Sequence, residues 1–82
     1  MRYILFAKAE CPFCVAAVEL LSEAKLQHNV INFEANQKEI LNEIKRAHDW
    51  ATVPMIFKRE GSSIEFIGGF TDLQRHLGED GG

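Results

Sequence analysis

The chain opens with the apolar run "RYILFA" at positions 2 to 7, which lacks the strict alternation of a strand with one wet face. Such a run predicts a strand buried on both faces, and so central in a sheet. From Pro12 to about Lys25 the spacing becomes helical, with Val15, Val18, Leu21 and Ala24 on one side and Glu19, Ser22 and Glu23 on another. The first set is expected to face the core. "HNVINFEA" offers a shorter second strand through Val30, Ile31 and Phe33. Strand, helix and strand at this length imply parallel pairing through a right-handed crossover. Asn36 can cap a second helix whose buried face is marked by Ile40, Leu41, Ile44 and Ala47, with Lys38, Glu43, Lys45 and Arg46 left to water.

After "WAT" the pattern changes. "VPMIFKREGSSIEFIGG" reads as two short strands around the turn "REGSS", an antiparallel hairpin ended by Gly68 and Gly69. "TDLQRHL" predicts a last helix with Thr71 as its N-cap, Phe70 just before it, and Leu73 and Leu77 on one side. The element order is β-α-β-α-β-β-α in one domain over residues 1–78, and "GEDGG" leads us to expect a disordered, frayed tail at 79–82. There is no internal repeat and no linker.

With 82 residues, one hydrophobic core is only just sufficient, and everything functional must share it. The formal net charge of -3, with both signs interspersed, would repel phosphate backbones, so nucleic acid is not an expected partner. "MRYILFAKAE" has only a short apolar run before Lys8, and no stretch has the length of a bilayer span. We therefore expect no membrane association and a reducing, cytoplasmic setting.

Candidate chemistry centres on Cys11 and Cys14, the only cysteines. A disulfide across so short a loop removes little chain entropy, which weakens a structural staple. A zinc site needs two further ligands, usually another close pair, and His28, His48 and His76 supply none. A redox pair is the preferred reading. With Cys11 as helix N-cap, Pro12 falls at the first helical position, which its fixed backbone suits. The free amides of Phe13 and Cys14 and the positive end of the helix then meet the Cys11 sulfur and favour its thiolate, holding its pKa below that of a free thiol. Cys11 is thereby the nucleophile and Cys14, three residues on, the resolving partner. Lys8 supports the thiolate and Glu10 opposes it, both screened by solvent. The histidines read as solvated surface residues, and Trp50 and the phenylalanines other than Phe13 as packing.

Three segments together, "CPFC" at 11–14, "TVP" at 52–54 and "IGGFTDL" at 67–73, resemble the dithiol glutaredoxins, and the resemblance covers nearly the whole chain. It implies a thioredoxin-like α/β fold, a four-stranded mixed sheet flanked by three helices. The implied activity is a glutathione-dependent thiol-disulfide oxidoreductase, a monomer reducing protein disulfides and glutathione mixed disulfides, with glutathione as co-substrate and no metal required. By the same resemblance Lys8 meets a glutathione carboxylate, and Phe13 keeps the aromatic wall usually formed by Tyr. Thr52, Val53 and Pro54 form the segment with a cis proline whose Val53 backbone pairs with the glutathione peptide. Gly69, Phe70, Thr71 and Asp72 hold the γ-glutamyl carboxylate through amides at a helix start, a place suited to anions on physical grounds. Leu41 stands where many relatives have Arg or Gln contacting the glycine carboxylate, so Lys38 or Lys45 must substitute or that contact is missing. "DWATVP" also resembles the single-cysteine, cluster-carrying branch. The alternatives carried are thus an iron-sulfur carrier held by cysteine thiolates and glutathione, and a thioredoxin-like reductant serviced by a flavoprotein reductase.

Overall fold

A computed structural model describes residues 1–81, with side chains described through Gly78. Its elements are β1 (Arg2–Lys8), α1 (Pro12–Glu23), β2 (His28–Phe33), a 3-10 turn (Ala35–Gln37) running into α2 (Lys38–Ala47), β3 (Met55–Glu60), β4 (Ser63–Gly68) and α3 (Phe70–Gly81). The four strands form one sheet in the order β2-β1-β3-β4. β1 pairs parallel with β2 and antiparallel with β3, and β3 pairs antiparallel with β4. The element order and the mixed sheet match expectation, and β1 is interior because both neighbours bond to it.

The two sheet faces differ. On one, Tyr3, Leu5 and Ile56 meet Ala17 and Leu21 of α1 and Leu73 of α3, forming a fully buried cluster. On the other, Phe6 packs against Phe33 and Phe57, and Phe57 against Phe66, with ring centroids 5.1–5.5 Å apart. Leu41 of α2 is the buried residue of that helix. His48 lies against Phe57 and Phe66, Tyr3 packs edge-on to His76, and His28 Nδ1 is 2.8 Å from the Leu26 carbonyl. His48 is exposed, as expected of a surface residue, while His28 and His76 are half-buried.

Several expectations need correction. The buried stripe of α1 is Cys14, Ala17 and Leu21, whereas Val15 is 58% exposed and Ala24 is also exposed. A strict three-residue step drifts around a helix of 3.6 residues per turn, so Val15 and Leu21 cannot share a face. In α2, Ile40 is 53% exposed and Ala47 is exposed, leaving Leu41 and the half-buried Ile44 to face the sheet. Asn36 is not a cap. The turn before α2 starts at Glu34, whose amide donates to Gln37 Oε1 at 3.0 Å while the Gln37 amide returns to Glu34, a reciprocal box that satisfies orphan donors. α3 begins at Phe70 rather than after Thr71 and extends through Gly78 to Gly81, so the frayed tail expected from 79 is helical to Gly81, and Gly82 lies outside the described residues.

Candidate functional site

The site is assembled where the C-terminal end of β1 hands over to α1. Glu10 takes the left-handed conformation (φ 56), reversing the chain, and Cys11 follows as an extended N-cap. Its Sγ accepts the Cys14 amide at 3.2 Å. Of the two amides expected there, that of Cys14 makes the bond, and Pro12 occupies the first turn as predicted. Cys11 and Cys14, with Cα atoms 5.2 Å apart, are joined as a disulfide. They are 9% and 5% exposed and pack with Ala7 and Val53.

The loop before β3 closes over this pair. The Val53–Pro54 peptide is cis, as the resemblance implied. The Val53 carbonyl oxygen approaches Cys11 Sγ to 3.9 Å, so two segments 42 residues apart in sequence meet at one sulfur. Beyond Pro54, β3 runs into the hairpin, whose register slips by one residue between Ile56 and Phe57. The slip leads the chain through Gly68 (φ 126) into α3. A Cβ at Gly68 would stand 2.5–2.9 Å from Asp72 side-chain atoms, so glycine alone permits that approach. Asp72 Oδ2 accepts the Gly69 amide at 2.9 Å, taking the capping role expected of Thr71. The first amides of α3, from Phe70 onward, have no intrahelical acceptor and lie at the positive end of the helix.

These pieces line one groove of ≈ 290 Å³: Phe13 on one side, Thr52, Val53 and Pro54 along the floor, and Gly69 to Asp72 on the other. Phe13 is 63% exposed, with its ring centroid 6.0 Å from that of Phe70. The aromatic wall is therefore in place without a hydroxyl. Trp50 also lines the groove, packing edge-on to Phe66 with centroids 5.2 Å apart. Core or rim packing is the reading its sequence supports, and its position two residues before "TVP" is the signal for its place in the groove.

Lys8 does not line this groove. It lines a recess shared with Cys11 and Cys14 and a further groove of ≈ 360 Å³ with Lys38, Leu41 and Lys45. Leu41 is 5% exposed and belongs to the packed interior, while the flanking lysines, one turn to either side, share the groove with Lys8. The lining of this groove thus holds three lysines against one acidic residue, Glu34, a balance that favours an anionic group.

Comparison with known proteins gives consistent results. A family model described as glutaredoxin matches residues 4–62. Glutaredoxin-1 of Sus scrofa is 31% identical over 78 residues, covering 89% of this chain and 70% of that protein. Glutaredoxin-1 of Bos taurus is 31% identical over 77 residues, covering 88% and 69%. The crystal structure of glutaredoxin 1 from Francisella tularensis complexed with cacodylate superposes with a TM-score of 0.66, covering 96% of this chain and 94% of that one, at 24% identity. That last similarity concerns the fold, which is thioredoxin-like.

Proposed function

Since the chain belongs to the glutaredoxin family, whose members are thiol-disulfide oxidoreductases, we propose that it reduces protein disulfides and glutathione mixed disulfides with electrons from glutathione. The observation that carries this reading is the position of Cys11: an N-cap sulfur that accepts a helix amide and lies 3.9 Å from the carbonyl oxygen of Val53, a residue that lines the groove beside Phe13. In the reduced protein the same amide and the helix dipole favour the thiolate, which also makes Cys11 a good leaving group.

The Cys11 thiolate attacks the glutathione sulfur of a mixed disulfide. A Cys11–glutathione bond forms and the substrate leaves as its thiolate. A second glutathione thiolate attacks the bound glutathione sulfur, releasing glutathione disulfide and returning Cys11. With a protein disulfide, Cys11 bonds to one substrate sulfur and expels the other; Cys14 then attacks Cys11 Sγ and frees the substrate as a dithiol. The protein is left as the Cys11–Cys14 disulfide, which two glutathiones reduce. Electrons pass from two thiols to one disulfide throughout, and no step calls on a metal.

Glutathione would lie with its γ-glutamyl carboxylate at the first amides of α3, its ammonium toward Asp72 and its peptide along Val53. Its glycine carboxylate would turn toward Lys8, with Lys38 and Lys45 replacing the contact that Leu41 cannot make. A reducing, cytoplasmic setting and a monomeric enzyme suit this cycle. Assays of deglutathionylation and of protein-disulfide reduction with Cys11→Ser and Cys14→Ser test it. Cys11→Ser is expected to abolish both activities and Cys14→Ser only the second. Retention of deglutathionylation by Cys11→Ser would overturn the assignment.

A further inference from the structure

Val15 and Val30 are 58% and 38% exposed. Isolated apolar residues on a surface are ordinary. These two, however, line one groove with both Cys11 and Cys14, together with Val18 and the charged residues Lys8, Glu10 and Glu19, two carboxylates against one ammonium. At ≈ 650 Å³ it is larger than the groove beside Phe13, which neither cysteine lines. The redox pair thus sits between two recesses of unlike character, one rich in helix-start amides and one largely apolar, with Glu10, Glu19 and Lys8 among its lining.

Glu10 adds a second observation. Among the described residues, three that are not glycine have positive φ: Lys25 and Asp49 just beyond the ends of α1 and α2, and Glu10 directly before the nucleophile. A residue past a helix end commonly takes that conformation to close it. Glu10 closes no helix. Glycine would adopt its backbone more readily, and its carboxylate opposes the neighbouring thiolate. Neither Glu10 nor Glu19 has a hydrogen bond or ion pair among the described residues. Both carboxylates remain available to a cation from outside.

We propose that this groove docks the polypeptide substrate around its target cysteine, an apolar side chain lying on Val15, Val18 and Val30 and a cationic side chain meeting Glu10 and Glu19. The proposal rests on the thiol-disulfide reading above and names the substrate it prefers. When Cys11 attacks a polypeptide disulfide, its Sγ bonds to one substrate sulfur and the other leaves as a thiolate. The chain is then tethered at the mouth of the recess that both cysteines line, and its flanking residues fall within reach of it. Cys14 next bonds to Cys11 Sγ, and the second substrate thiolate departs.

The test compares two disulfide-bonded peptides, one with Leu and Lys flanking its cysteines and one with Ser and Glu, alongside the mixed disulfide of glutathione and 2-mercaptoethanol. For the unmodified enzyme the Leu/Lys peptide is expected to have about tenfold higher kcat/KM, the ratio that corresponds to 1.4 kcal/mol. The paired changes Val15→Ser with Val30→Ser, and Glu10→Gln with Glu19→Gln, should each shrink that ratio severalfold. All four positions are exposed, so folding should survive. Turnover of the small mixed disulfide with equal kcat/KM for the two peptides, or a preference for the Ser/Glu peptide, would overturn the docking proposal and leave the oxidoreductase reading standing. Failure to turn over the small mixed disulfide would overturn that reading and the proposal with it.

Discussion

At the scale of single residues, the entry to α3 depends on two side chains. Asp72 reaches back to the Gly69 amide at 2.9 Å, and it can do so because Gly68, at φ 126, has no Cβ to meet it. Gly68→Ala would add both backbone strain and a collision with Asp72, so a loss of about 1–3 kcal/mol is expected, measurable by urea unfolding. If the change were neutral, the close approach would not exist in solution. Thr71 illustrates what one sequence conceals. Serine-like residues are the usual caps, but here an acid three residues past glycine performs the task from inside the helix, and "GGFTDL" is compatible with either start.

At the scale of elements, the ends of helices were harder to read than their existence. α1 and the order of the strands follow from apolar spacing and the Cys-Pro start. The buried face of α1 was displaced because an i+3 series of Val and Leu resembles a stripe yet winds off it, while the true contacts use the small Ala17 beside Leu21. α3 continues past Gly78, where the sequence pattern predicts the end of the ordered domain. Gly78 is exposed, and nothing stands within 4 Å of where its Cβ would be. Gly78→Ala is therefore expected to stabilise the protein by roughly 0.5–1 kcal/mol through helix propensity and reduced freedom of the unfolded chain. Thermal unfolding followed by circular dichroism measures it; no gain would mean that the last turns of α3 are not helical in solution.

At the scale of the whole molecule, one buried cluster ties β1, α1, β3 and α3 together, and the aromatic layer with Leu41 covers the other face of the same sheet. Trp50, the only tryptophan, rests on that layer through Phe66. Its fluorescence and the far-ultraviolet dichroism should report one coincident, two-state transition, and separated midpoints would show that the aromatic layer unfolds apart from the main core. The cysteine pair, the Pro54 segment and the α3 start were all legible as separate motifs; that the first two meet at one sulfur and the last two line one groove depends on the sheet order and on a register slip that no local pattern announces. What most directly tests the account is an NMR titration of Cys14→Ser protein with glutathione disulfide, which converts Cys11 to its glutathione adduct. Amide shifts are expected to concentrate at Lys8 to Phe13, Thr52 to Val53 and Gly69 to Asp72, whereas an adduct that leaves Val53 and the first turn of α3 unmoved would contradict it.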